Sequence, residues 1–240
     1  MSTVISLTTI PDRIEHIEPC IRSLVAQGLP VYLWAVKKIE RSETVLGELP
    51  AFLADAGVHV EIVPDCGPIT KLLPALRAGF DVILTADDDC TYDERWSKGL
   101  LDWSEKRPDA ALGCRGRILN GALYRTSQIV RKSRIKEPVA VHVITGVHGA
   151  LYRATMFDEG IFTEWQLWPI NDDLVIAAHL KRRGVPRLIV PVAARVVDYK
   201  ARYIEPLFGF NTQTSRLNDK GIELLGLAPK KPPKKPKGRK

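Results

Sequence analysis

Residues 81–92 read DVILTADDDCTY, an apolar run at Val82, Ile83 and Leu84 with three carboxylates, Asp87, Asp88 and Asp89, just beyond it. The run has the composition of a buried strand, so the acids stand at a strand end. Adjacent anions repel and are costly near a core unless a cation or hydrogen bonds neutralise them. Hard divalent ions such as Mg²⁺ and Mn²⁺ favour oxygen ligands of this kind. The plain alternative is a solvated acidic turn, because such residues are common where strands end.

Working outward, the same texture recurs. Residues 4–9 and 31–36 are strand-like, and between them Ile14, Ile17, Ile21, Leu24 and Val25 recur at helical spacing up to Gly28. A helix is expected near 44–56, a strand at 58–63, a helix at 71–78 and then the strand at 81–85. This β-α-β-α-β-α-β order predicts an α/β fold with a mostly parallel central sheet flanked by helices, whose ligands bind at the carboxyl ends of the strands. After a helix at 93–106 the pattern becomes mixed, with strand-like pieces at 110–119 and 139–147 and irregular basic sequence between them. A late helix is expected over 172–183, ending at Gly184, before the apolar run 188–192.

The chain has 240 residues, 45% hydrophobic and 26% charged, which suits one soluble domain over 1–228. Its net charge of +7 is local. Seven of the 35 Lys and Arg fall within 230–240, and the remaining 28 balance 28 Asp and Glu. The proline- and lysine-rich tail, 229–240, cannot bury a core and is expected to be disordered. It suits contact with an anionic membrane surface, or no specific partner at all. The start, MSTVISLTTI, lacks the pattern of a signal peptide, and no run approaches bilayer-spanning length. Cys20, Cys66, Cys90 and Cys114 form no close pair and are expected to be reduced thiols. These features lead to an expectation of a cytoplasmic protein, peripheral at the inner membrane face if its tail binds there.

Five segments, VISLTTIPDR at 4–13, GPITKLLPAL at 67–76, TADDDCTY at 85–92, TGVHGALYR at 145–153 and NDDLVIAAHLKRRG at 171–184, together resemble a nucleotide-sugar-dependent glycosyltransferase of the GT-A fold, nearest to the family-2 type. The resemblance implies a Rossmann-like nucleotide-diphospho-sugar transferase. Residues 1–106 would form its nucleotide-binding half and 107–228 its acceptor half. It further implies a hexosyltransferase-like enzyme of polysaccharide biosynthesis with Mn²⁺ or Mg²⁺ as cofactor. The donor would be a nucleotide sugar, a UDP-sugar being favoured, and the acceptor a glycan or a lipid-linked sugar. The acidic triplet matches the family's Asp-x-Asp motif, giving Asp89 to the metal and Asp87 to the ribose or the metal, with Asp88 between them. Asp172 and Asp173 match its Glu-Asp motif, with Asp in place of the usual Glu at 172. Asp173 would then be the general base of an inverting transfer.

Other candidates rest on residue chemistry as well. Thr8, Thr9 and Arg13, on the first-strand loop, can bind a base, ribose or phosphate, while Asp12 suits a helix cap. Lys71 stands at an expected helix start, where an anion is favoured, and can reach the donor phosphates. Gly146, His148 and Gly149 form a flexible patch beside the acceptor site. Trp165 and Trp168 can stack on a sugar or pack the lobe, and His179 is a weaker candidate. Two rival readings stand beside this one. A sugar-phosphate nucleotidyltransferase would be expected to carry a glycine-rich loop after the first strand, and TTIPDRIEH has no glycine. A non-catalytic anion- or nucleic-acid-binding protein acting through the tail is opposed by the neutral body, so no specific nucleic acid is expected.

Overall fold

The computed structural model describes residues 1–39, 43–121, 123–199 and 215–229. The tail expected at 229–240 lies outside the described residues from 230 onward. Along the chain run β1 (Thr3–Thr9), α1 (Glu18–Val25), β2 (Val31–Val36), α2 (Ala51–Asp55), β3 (His59–Val63), α3 (Leu73–Arg77), β4 (Val82–Ala86), β5 (Cys90–Tyr92) and α4 (Trp96–Lys106). There follow β6 (Ala111–Ile118), β7 (Gln128–Arg131), β8 (Val139–Ala140), β9 (Val143–Arg153), α5 (Ile161–Glu164), α6 (Asp172–Arg182), β10 (Arg187–Ile189), β11 (Val196–Asp198) and α7 (Ser215–Leu224).

The central sheet has the order β3-β2-β1-β4-β9-β6-β10-β8, with β7 on β6. Its first four strands are parallel to one another, and β9 enters antiparallel to both β4 and β6. This is a Rossmann-like α/β fold of the GT-A type. Alternate strand residues feed opposite faces of the sheet. Ile5, Leu7 and Leu84 pack with Ile17, Ile21, Leu24, Trp96 and Leu100 on one face. Val4 and Ile83 pack with Trp34, Val175, Ile176 and Leu180 on the other. No helix among the described residues is long and apolar enough to cross a membrane.

Three helix expectations need correction. The periodic stretch after β1 is a short 3-10 turn, Ile14–His16, followed by α1. Pro19 lies in the first turn of α1, where its missing N–H is harmless, but it could not continue an earlier helix. Of the helix expected at 44–56 only Ala51–Asp55 is helical, since Gly47 and Pro50 interrupt the rest and Val45 instead bridges Lys38. The helix expected from Lys71 divides in the same way. Lys71 closes a 3-10 turn, Ile69–Lys71, and α3 begins afterwards with Pro74 in its first turn. The expected macrodipole at Lys71 therefore shrinks to that of a five-residue helix.

The stretch 145–153 is a bulged central strand rather than a flexible patch. Across β6 and β9 the pairing jumps from Gly113↔Ala150 to Arg115↔Thr145, leaving extra residues on β9. His148 sits there with φ 69°, unusual for a residue with a side chain. Gly149 follows at φ +93°, and a Cβ there would lie 2.4 Å from Cζ2 of Trp96. The bulge carries the strand past the end of β4 and towards the acidic triplet.

Candidate active site

Parallel register assembles the first part of the site. Leu7 of β1 lies opposite Ala86 of β4, so the residues that follow each, Thr8–Thr9 and Asp87–Asp88, emerge side by side at the carboxyl edge. Thr9 Oγ1 donates to Asp88 Oδ2 at 2.7 Å, and Arg13 donates through a terminal guanidinium nitrogen to Asp88 Oδ1 at 2.8 Å. The Asp88 side chain is only 8% exposed. With both oxygens engaged inside the protein, Asp88 acts as the anchor of the β1 loop. Thr8 Oγ1 donates to the carbonyl of Trp34 at 2.9 Å. The hydroxyl protons of Thr8 and Thr9 are thus already committed, and their lone pairs remain for a ligand.

Asp87 and Asp89 differ from Asp88. Asp87 Oδ1 accepts from Lys71 Nζ at 2.9 Å. Asp89 is 42% exposed, with its nearest cation, Arg13, 3.9 Å away. Burial, then the charges of Asp87 and Asp88, push the Asp89 carboxyl up to about 6, against a smaller opposing pull from Arg13. Of the three acids, Asp89 is the one with a carboxylate open to a ligand and short of positive charge.

Among the described residues no three His, Cys, Asp or Glu side chains converge to hold a cation by themselves. Mg²⁺ in nucleotide sites usually needs only one or two carboxylates, substrate phosphates and water completing its shell. By that standard the residues present fit. Asp89 offers Oδ2, its Oδ1 accepting from Cys90 Sγ at 3.7 Å, and Asp87 lies beside it with one oxygen outside the Lys71 contact.

Lys71 links this edge to α6. Its ammonium lies 3.2 Å from Asp172 Oδ2 as well as 2.9 Å from Asp87 Oδ1, and its side chain is 9% exposed. Burial opposes the charge, but Asp172, Asp87 and Asp173 together outweigh it and hold the amine well above its ordinary value. The expected phosphate-reaching lysine is therefore placed as a buried tie between the two acidic motifs. Asn171 caps α6, its Oδ1 accepting from the Leu174 N–H, and Asp172 and Asp173 occupy the first turn.

Asp173 faces the cleft. Its Oδ1 accepts from the backbone N–H of Gly146 at 2.7 Å. Burial, then Asp172, raise its carboxyl to about 7, while Lys71 and the Gly146 N–H pull the other way. Gly146 permits this approach, since a Cβ there would lie 3.0 Å from Lys71 Nζ and 3.4 Å from Asp173 Oδ1. A carboxylate with a free Oδ2 and a titration near neutrality has the properties of a general base.

Thr8, Thr9, Arg13, Lys71, Asp87, Asp88, Asp89, Asp172 and Asp173 all line one open cleft of about 1180 Å³. Trp165 also lines it. Trp168 instead packs over Gly221 of α7. His148 lies outside the cleft lining and pairs with Asp198 at 3.0 Å. His179 is buried, with Nδ1 2.7 Å from Glu164 and Nε2 accepting from the Asp158 N–H. Sequence reading missed the cleft's other wall, where Arg115, Arg117, Tyr124 and Arg125 stand. The signal was present in Cys114-Arg115-Gly116-Arg117, whose alternation puts both arginines on one face of a strand.

No family model matches the chain, and no curated protein is significantly similar to it. Among solved structures it is similar to TarS of S. aureus, with 14% identity over 83% of this chain and a TM-score of 0.49. The chain spans 37% of that protein's length. At this distance the likeness carries nothing about chemistry, which rests on the cleft itself.

Proposed function

We propose that the chain is a metal-dependent glycosyltransferase of the family-2 type that moves a sugar from a nucleotide diphosphate to an acceptor hydroxyl on a glycan or lipid-linked molecule. One observation carries the reading. The carboxylates at the strand edge are sorted into a buried anchor, Asp88, a lysine-bound Asp87 and an open, charge-poor Asp89, while Asp173 stands across Lys71 with a titration near 7. The cleft at the carboxyl edge of a parallel sheet is where such folds place a nucleotide.

In this reading the β1 loop holds the nucleoside through the lone pairs of Thr8 and Thr9, and Asp89, with Asp87, holds Mn²⁺ or Mg²⁺. A cation bound there supplies Lewis-acid neutralisation of the diphosphate leaving group. Asp173 Oδ2 accepts the acceptor's hydroxyl proton as that oxygen forms its bond to the anomeric carbon. The bond from this carbon to the diphosphate oxygen breaks, and the nucleoside diphosphate leaves with the electron pair. Attack opposite the leaving group inverts the anomeric centre. A positioned base of this kind contributes roughly 10²–10⁴ in rate. Lys71 keeps Asp87 and Asp172 in place and takes no part in the displacement. A cytoplasmic placement, with the basic tail touching the inner membrane face, belongs to the same proposal.

The test is calorimetric titration of UDP- and GDP-sugars into the protein with Mn²⁺ or with EDTA, using wild type and Asp89→Ala. Metal-dependent binding lost in the variant supports the reading and identifies the nucleotide. Absence of nucleotide binding under every condition sinks it.

A further inference from the structure

Positive charge in the cleft is divided unevenly. On the β1–β4 side each cation is matched, Arg13 by Asp88 and Lys71 by Asp87 and Asp172. On β6 and the segment after it, Arg115, Arg117, Arg125 and Arg131 take part in none of the ion pairs formed among the described residues. Arg115 and Arg117 project from one face of β6, and Arg131 lies opposite Arg115 on β7. Arg117 is held by neutral groups only, donating to Ser127 Oγ at 2.9 Å and the Tyr124 carbonyl at 3.3 Å, with its guanidinium 4.1 Å from the centre of the Tyr124 ring. The Arg115 side chain makes no hydrogen bond among the described residues, and its Nε is buried without a partner. Burial, then Arg117 and Arg131, make its charge costly to hold. Like charges half-withdrawn from water and left unmatched are destabilising until an anion neutralises them, and guanidinium forks suit phosphate.

The arginines and the acidic triplet enter the cleft from different strands. In the sheet β9 lies between β4 and β6, so the backbone that carries the arginines is two strand spacings, about 10 Å, from that of the edge bearing Asp87–Asp89. The carboxylate on their side of the cleft is Asp173, whose charge acts on Arg115.

We infer that Arg115 and Arg117, with Arg125 at the cleft mouth, bind a phosphate ester on the acceptor and so present its neighbouring hydroxyl to Asp173. This rests on the transferase reading above and specifies its acceptor class. The phosphate belongs to a polyol or glycan phosphate, or to a lipid phosphate headgroup.

The experiment loads the full chain with UDP and Mn²⁺ and titrates it by calorimetry with glycerol 1-phosphate, and in parallel with phosphatidylcholine vesicles doped with phosphatidic acid. Glycerol is the neutral control. Expected is binding of one phosphate probe, not of glycerol, weakened about tenfold or more in Arg115→Gln and in Arg117→Gln, as loss of a charge-assisted contact implies. UDP affinity should be unchanged in both variants, and Arg115→Lys should retain part of the phosphate binding. The probe that binds identifies the carrier. Three results overturn the inference: phosphate displaced by UDP in wild type, UDP binding weakened in the arginine variants, or phosphate binding equal in wild type and variants. Failure of UDP to bind wild type overturns the transferase reading itself, and the acceptor assignment with it.

Discussion

Asp87 and Asp172, from opposite halves of the chain, share one ammonium group: Lys71 Nζ lies 2.9 Å from Asp87 Oδ1 and 3.2 Å from Asp172 Oδ2. The lysine thereby fixes α6 against the end of β4, which sets the separation of Asp89 from Asp173. Removing it leaves two largely buried carboxylates facing each other at the cleft wall. Lys71→Met is expected to lower stability by about 3–5 kcal/mol, as for other broken buried pairs. Urea denaturation at pH 7 measures this. A loss below about 1 kcal/mol would show that the tie is not structural.

Asp88 and Asp89 are adjacent but should fail in opposite ways. Asp88→Ala strands Arg13, whose side chain is 19% exposed, and frees Thr9. A stability loss of about 3 kcal/mol or more is expected, with nucleotide binding weakened because the β1 loop loosens. Asp89→Ala removes a charge repelled by Asp87 and Asp88. Its unfolding midpoint should equal or exceed that of wild type while metal-dependent binding is lost. Parallel denaturation curves and nucleotide titrations separate the two.

Activity and stability should respond to pH in opposite directions. Asp89 and Asp173 have folded-state values of about 6 and about 7, raised from 3.8. Both hold a proton more tightly when folded. Their contribution to stability is therefore complete below about pH 4 and is lost as pH rises towards 7. The proposed transfer needs Asp173 ionised as its base, so kcat/KM should rise with pH through about 7. Asp173→Asn should abolish that limb, lower kcat by roughly 10²–10⁴ and flatten part of the stability profile. A pH–rate profile without a limb in this range would remove Asp173 from the role of base.

The two glycines of the β9 bulge should differ in kind. At Gly149 a Cβ meets the Trp96 ring at 2.4 Å and the backbone is at φ +93°. Gly149→Ala adds overpacking to backbone strain, about 2–5 kcal/mol together. At Gly146 the Cβ meets no backbone but crowds the tied ammonium of Lys71 at 3.0 Å and Asp173 at 3.4 Å. Gly146→Ala should lower the melting temperature far less than Gly149→Ala, by nudging the Lys71 tie, and depress turnover by displacing the proposed base, Asp173. Equal melting temperatures for the two variants would contradict this.

Local chemistry made much of the molecule legible. Apolar runs alternating with helical spacing determined the β-α order of the first half, and the position of Asp87–Asp89 after such a run determined that a cleft at a strand end would be acidic. Where proline and glycine set the backbone, as at Pro19, Pro50 and Pro74, periodicity overreached, because a hydrophobic pattern records which face is buried and not whether every amide can donate. Tertiary structure alone decided the rest. Side-chain roles at the edge depend on which strand lies beside which, so three identical aspartates became an anchor, a lysine partner and an open carboxylate. Lys71 became a tie because α6 returns beneath it. The unmatched arginines became visible only when β6 was placed two strands from the triplet, for charge balance is a property of neighbours in space and the sequence records neighbours along the chain.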